Sequence, residues 1–253
     1  MKQKLDTLGI NKLPKHIAFV IDGNGRWAKE KNKSRSYGHK IGVQTLEKIL
    51  KTCKNIEIEV VSVFAFSTEN WKRSEDEVKF LFKLFESYAK SLLKEIKKDT
   101  SIKFRHMGNL TQLPKSLQKL LVSLQEQTNN NTGFTINIGI NYGGRDEILR
   151  AVNKILAQGK TNITAQEFEA YLDTAGICDP EFIIRTSGEE RVSNFMLYQM
   201  AYSEFYFPKV YWPAFTEDHL LEALQVFQNR KRRYGAAKEE EWKTGFTQDL
   251  CFF

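Results

Sequence analysis

Short apolar runs separated by longer amphipathic segments set the pattern of this chain. The runs IAFVI (17–21), VVSVFAF (60–66), IKFRHMG (102–108), FTINIGINY (134–142) and FIIRT (182–186) are rich in β-branched and aromatic residues. EFYFPKVYW (204–212) contains a sixth candidate. Each has the length and composition of a strand. Between them, apolar residues recur at helical spacing near 39–54, 75–97, 114–128, 145–158, 164–173, 192–201 and 216–231. This alternation predicts an α/β fold with a central, mostly parallel six-stranded sheet flanked by helices. No fixed-period repeat or low-complexity linker interrupts it, so residues 1–253 read as one domain, with 236–253 as a helical extension or loose tail.

The segment 75–97 carries more apolar surface than one buried face needs. Val78, Leu81, Phe82, Phe85, Tyr88, Ala89, Leu92, Leu93 and Ile96 form the expected stripe, and Phe80 and Leu84 fall outside it. At about 100° per residue the apolar arc spans roughly 220°. Either the helix is sandwiched between the sheet and a second subunit, or one face lines a cavity for an apolar ligand.

Composition narrows the class. With 253 residues, 41% of them hydrophobic, the chain can bury one large core. The formal charge of +7 suits an anionic partner, whether nucleic acid, phosphorylated metabolite or acidic membrane surface. The three cysteines, Cys53, Cys178 and Cys251, are far apart and show no zinc spacing. The chain reads as a cytoplasmic protein with structural thiols, no signal core and no membrane span.

Polar residues crowd the ends of the predicted strands, where open α/β sheets bind ligands. After the first strand come Asp22, Gly23, Asn24, Gly25, Arg26 and Trp27. The glycines let backbone amides approach a phosphate, and Arg26 can fork onto its oxygens. Asp22 repels a bare phosphate, but a Mg²⁺ ion between them reverses the sign. A plain Asx turn explains the same residues without a ligand. Arg35 and His39 follow, as a second anion cradle or as surface groups. After the second strand come Ser67, Thr68, Glu69, Asn70, Trp71 and Arg73, with Ser74 and Glu77 spaced as a capping box. After the fifth, Arg185, Arg191 and Ser193 flank Gly188 and suit a diphosphate. Glu204 lies in an aromatic setting, where a carboxylate needs a partner; a metal is one candidate.

HIAFVIDGNGRWA, GHKIGVQTLEKIL, VFAFSTENWKRSEDEV, INIGINYGGRDEI, FIIRTSGEERVSNFMLYQMAYSEFYF and FQNRKRRYGA occur in the order that marks the cis-prenyltransferases. The chain resembles that family over roughly residues 14–236, with the bacterial undecaprenyl diphosphate synthases as the nearest branch. The first block alone is only suggestive; the ordered set is specific.

The resemblance implies an α/β homodimer with an elongated apolar tunnel. It implies condensation of isopentenyl diphosphate onto an allylic diphosphate such as farnesyl diphosphate, giving a long-chain polyprenyl diphosphate that serves as a precursor of the cell-wall lipid carrier. By matching motif, Asp22 and Glu204 would hold Mg²⁺. Gly23, Asn24, Gly25 and Arg26 would cradle the allylic diphosphate, with Arg35 and His39 beside it and Trp27 and Trp71 as walls. Ser67, Thr68, Glu69 and Asn70 would sit between the substrates, with Asn70 at the departing proton. Arg73, Arg185, Arg191, Val192 and Ser193 would bind isopentenyl diphosphate. Arg233 and Gly235 match a tail that crosses the dimer, and the product implies peripheral membrane contact. Ile21, Ser74, Glu190 and Tyr198 depart from the usual residues, but none stands at a charged catalytic position. Nucleic acid is not an expected partner, since RKRRYG lacks an aromatic platform. A non-catalytic partner subunit or a metal-dependent phosphohydrolase are the other readings.

Overall fold

The computed structural model describes residues 2–230. Arg233, Gly235 and the 236–253 extension lie outside the described residues. The elements run α1 (Lys2–Thr7), β1 (His16–Val20), α2 (Asn24–Glu30), α3 (Arg35–Asn55), β2 (Val60–Ser67), α4 (Glu75–Ile96), β3 (Lys103–Met107) and α5 (Lys115–Thr128). They continue with β4 (Thr135–Tyr142), α6 (Gly144–Ala157), α7 (Ala165–Glu169), β5 (Phe182–Arg185), β6 (Glu204–Tyr206) and α8 (Glu217–Gln228).

The six strands form one sheet in the order β3-β4-β2-β1-β5-β6. Every pairing is parallel, so the expected mostly parallel sheet is wholly so. Parallel strands covered by helices on both faces are apolar along their length rather than alternating. Every residue of β1, β4 and β5 is accordingly buried. The chain leaves β1 toward β2 on one side and later returns to lay β5 on the other. That reversal opens a crevice beyond the carboxyl ends of β1 and β5, the position where such sheets bind ligands.

Three helical expectations change. Residues 192–201 form turns, not a helix, because Ser193, Asn194 and Met196 have φ of 49°, 66° and 44°. Left-handed residues cannot continue a right-handed helix. The segment expected at 164–173 is helical only over Ala165–Glu169 and then turns. The segment expected at 39–54 starts earlier, at Arg35, because the Ser34 side chain accepts from Tyr37 N and caps it there. Two helices, α1 and α2, were not read from the pattern. The seven residues of α2 carry only Ala28 buried, too little for a periodic stripe.

A polar chain crosses the buried sheet. His16 Nδ1 donates to Cys178 O at 2.6 Å, so in the neutral ring Nε2 accepts from Ser62 Oγ at 2.7 Å. Ser62 Oγ in turn accepts from Asn137 Nδ2 at 2.9 Å. Burial lowers the His16 pKa to about 4, which this arrangement of donors accommodates.

Candidate active site

The turn after β1 is built around glycine. Gly23 has φ 98°, and a Cβ there would lie 2.3 Å from Ser187 Oγ and 2.6 Å from the Tyr211 ring. Only glycine fits a left-handed position so closely approached. From there α2 begins at Asn24, inside the motif rather than after it. Asp22 Oδ1 accepts from Gly23 N at 2.6 Å and faces Arg26 Nη2 at 3.1 Å. Asp22 Oδ2 accepts from Arg185 Nη2 at 3.0 Å. The carboxylate thus bonds the next backbone amide rather than the one two residues on that an Asx turn uses, and two arginines converge on it.

The loop after β5 reaches the same point. Arg185 Nη1 donates to Arg191 O at 2.5 Å and Ser193 Oγ at 2.7 Å. Arg26 and Arg191 both donate to Glu189 at 2.5 Å. Thr186 Oγ1 donates to Asp22 O at 2.7 Å and ties the two strand ends together. Val192 is half-buried, and its carbonyl accepts from Phe195 N at 3.1 Å.

The loop after β2 forms the third wall. Thr68–Lys72 is a 3-10 turn with a capping box: Ser67 caps the turn, and Asn70 Oδ1 accepts from Ser67 N at 3.2 Å. Trp71 Nε1 donates to Asn141 Oδ1 at 2.8 Å, and its ring packs edge-on against Phe66 at 5.5 Å. Asn194 Nδ2 donates to Glu69 Oε1 at 3.0 Å, while Asn194 Oδ1 accepts from Arg145 N at the start of α6. Burial raises the Glu69 pKa, but its own backbone amide, Asn194, Ser67 and Thr68 outweigh that and lower it. Trp27 stacks on Tyr37 with centroids 6.0 Å apart, and Lys31 covers its ring.

Glu77 is a correction. Ser74 does cap α4 by accepting from Glu77 N, but the Glu77 carboxylate does not complete a capping box. It pairs with Arg35, whose Nε lies 3.2 Å away, and accepts from His39 Nε2 at 3.2 Å and Arg73 Nη1 at 3.0 Å. Burial raises the Glu77 pKa, and Arg73, His39 and Arg35 bring it below the usual value. Burial lowers the His39 pKa against the pull of Glu77, which favours neutral imidazole. The sequence spacing pointed to the cap; a carboxylate three residues past a loop of arginine and tryptophan was the overlooked signal. Asn194 and Glu189 were also missed, because their partners are 125 and 163 residues away.

Glu204 stands apart from Asp22 within one chain. It begins β6 in register with Phe182, which is itself level with Ile17 of β1. Asp22 lies five residues further on, so roughly 16 Å separates the two along the strand direction. Glu204 Oε2 instead accepts from Arg230 Nη1 at 2.7 Å. Within one chain the two carboxylates do not share an ion, and no cluster of three or more His, Cys, Asp or Glu suited to a metal occurs among the described residues.

In these ion pairs five arginines share three carboxylates, Asp22, Glu77 and Glu189. Buried polar atoms without a protein partner gather here too: Asn24 Oδ1, Arg185 Nε and Ser187 Oγ. Such atoms are costly unless a ligand or water meets them. Beside this mouth a cavity of about 40 Å³ is walled by Ile21, Ala65, Phe85, Tyr88, Ile138 and Ile140, among other apolar groups. Phe80 and Leu84 are half-buried and do not line it. The arrangement can hold an anionic head at the strand ends and an apolar tail between α4 and the sheet.

The family model "Putative undecaprenyl diphosphate synthase" matches residues 20–235. An isoprenyl transferase of Prochlorococcus marinus subsp. pastoris is 46% identical over all of this chain and 93% of its own length. One from Fusobacterium nucleatum is 47% identical over 89% of this chain and 97% of its own. The solved structure of lavandulyl diphosphate synthase from Lavandula x intermedia, in complex with dimethylallyl diphosphate, superposes with a TM-score of 0.84 at 33% identity, covering 88% of this chain and 98% of that one. A probable undecaprenyl diphosphate synthase from Campylobacter jejuni gives 0.75 at 30% identity, over 89% and 100%. Fold and comparisons together define an isoprenyl transferase. The chain belongs to the cis-prenyltransferase (isoprenyl transferase) family.

Proposed function

We propose that this enzyme adds isopentenyl diphosphate units to an allylic diphosphate, farnesyl diphosphate in the first instance. The product is a long-chain polyprenyl diphosphate such as undecaprenyl diphosphate, a lipid-carrier precursor for cell-wall synthesis. The observation that carries this reading is the arginine-rich mouth opening beside an apolar cavity. Relatives named for lavandulyl and for undecaprenyl diphosphate share the fold, so the product rests on this chain's own cavity.

In each addition the allylic carbon–oxygen bond breaks, a carbon–carbon bond forms to the isopentenyl double bond, and one proton leaves C2. Diphosphate and the proton are released. Arg26, Arg35 and the backbone amides of the Gly23–Arg26 turn bind the leaving diphosphate, stabilising charge as it develops. Arg73, Arg185, Arg191 and Ser193 hold the isopentenyl diphosphate. Asn70, fixed by its bond to Ser67 N, orients the departing proton toward a diphosphate oxygen. Trp27 and Trp71 shield the reacting ends.

Mg²⁺ suits this mouth, because it uses one or two carboxylates and fills its shell with phosphate oxygens and water. Asp22, part-exposed beside unpartnered buried polar atoms, is the carboxylate that would hold it. Bound there, it would neutralise charge on the diphosphate.

The inner cavity of about 40 Å³ is small for a long polyprenyl chain. A lengthening chain therefore needs more room than this cavity offers. Beyond Tyr88, which lines both spaces, lies a pocket of about 320 Å³ whose wall includes Glu47, Lys51, Lys54, Glu95 and Asp99. The enzyme acts as a homodimer, a reading supported by the exposed apolar stripe Leu149, Val152 and Leu156 on α6. No helix among the described residues is long and apolar enough to cross a membrane. The reading places the reaction in the cytoplasm, with peripheral membrane contact as the product leaves.

The test is purified protein with Mg²⁺, farnesyl diphosphate and labelled isopentenyl diphosphate, with product length resolved by chromatography. A ladder of five-carbon additions is expected; no chain growth would overturn the reading.

A further inference from the structure

One carboxylate in this site touches both groups of arginines that the proposed reaction needs. Glu77 sits in the first turn of α4, with 12% of its side chain exposed. Arg35 comes to it from the start of α3, and Arg73 from the end of the turn that carries Asn70 and Trp71. The Arg35 guanidinium also lies against the turn after β1: a Cβ on Gly25 would be 3.1 Å from Arg35 Cζ. Glu77 is thus one residue away from each of two loops that come from distant parts of the chain.

The two arginines repel each other, and each repulsion is felt as a lowered Arg73 pKa after burial has already lowered it. A carboxylate between them removes that repulsion and holds both forks in place. Arg35 approaches Glu77 through Nε as an ion pair, and Arg73 donates to it from Nη1. Each guanidinium keeps further N–H donors for another anion. His39, neutral by burial, donates from its third side without adding charge. An arginine already held loses less freedom on gripping a phosphate than one that must first be ordered.

We propose that Glu77 is a positioning residue shared by the two diphosphate subsites, orienting Arg35 for the allylic diphosphate and Arg73 for isopentenyl diphosphate before either arrives. This rests on the functional reading above. The role does not overlap with helix capping, because Ser74 caps through the Glu77 backbone, which any substitution retains.

The experiment compares the wild type with Glu77→Gln and Glu77→Asp by steady-state kinetics. Glu77→Gln keeps the shape and loses the charge. It should raise KM about tenfold for both substrates, the scale of a lost charged hydrogen bond, while kcat changes less. Glu77→Asp should recover part of that. In an Arg35→Ala background, Glu77→Gln should add no further rise in the allylic KM; in an Arg73→Ala background, none in the isopentenyl KM. Lower KM values would overturn the proposal, since Glu77 would then compete with the substrates. A rise for one substrate only, or additive effects in the double variants, would overturn it as well. Calorimetric binding of inorganic pyrophosphate gives an independent arm, with weaker binding expected for Glu77→Gln. If wild-type protein grows no chain, the functional reading fails, and the pyrophosphate arm still decides the role of Glu77.

Discussion

Arg185 Nη2 donates to Asp22 Oδ2 at 3.0 Å, across the crevice between the ends of β5 and β1. Arg185 is buried and its Nε has no protein partner. Among the described ion pairs, Asp22 is the carboxylate that faces it. Replacing Asp22 with alanine should cut turnover by about 10²–10³, as loss of one placed electrostatic group does elsewhere. Rates of isopentenyl incorporation measure this; near-normal turnover would remove Asp22 from the mechanism.

Asn70 has two separable jobs. Its Oδ1 closes the turn after β2, and the proposed mechanism gives its side chain the departing proton. Asn70→Asp keeps the oxygen for Ser67 N and loses the amide donor. It should retain the fold and lose most turnover. Higher turnover with a shifted pH profile would instead make residue 70 a base.

Ala65 faces the small cavity between α4 and the sheet. Ala65→Leu fills it, at a cost in stability of about 1–3 kcal/mol from overpacking. The product should become shorter while KM for isopentenyl diphosphate is held. Unchanged chain length by chromatography would show that the growing chain does not pass this point.

Acid should destabilise the fold through two buried histidines. His16 and His106 both drop to about 4, by burial against an ordinary 6.5. Between those values the unfolded chain binds more protons, so stability is full above about pH 6.5 and falls as pH approaches 4. Each shift corresponds to roughly 3 kcal/mol. Burial raises the Glu147 pKa, which acts oppositely and blunts the slope. Urea midpoints measured across this range should fall with acid, and His106→Gln should flatten the dependence. An unchanged slope in that variant would exclude His106 as a contributor.

The stripe on α6 makes the proposed dimer testable. Leu149 and Leu156 are 63% and 62% exposed. Leu156→Glu should shift the protein toward monomer in light scattering coupled to gel filtration. A dimer unaffected by the change would place the interface elsewhere.

The strands and the long helices were legible in the sequence because their signal is local. Runs such as TINIGINY are apolar throughout, and a parallel sheet buried on both faces demands that. The motif residues were legible as chemistry for the same reason: Asp22, Gly23 and Arg26 are neighbours along the chain. The helix expected at 192–201 failed because its apolar spacing is equally served by a loop of left-handed turns packed into the core, where Phe195 and Met196 are buried. Local periodicity does not distinguish those two ways of burying the same side chains.

What the sequence by itself determined is the class of fold, the order of its elements and which residue types gather at the strand ends. Only the tertiary structure decided partners. It took Glu77 from a presumed cap to the point where Arg35, His39 and Arg73 meet, and it set Glu204 at the opposite end of the strands from Asp22. The physical reason is that a charge is satisfied by whatever stands within about 3 Å of it. Sheet register and loop return, rather than sequence spacing, bring residues that close.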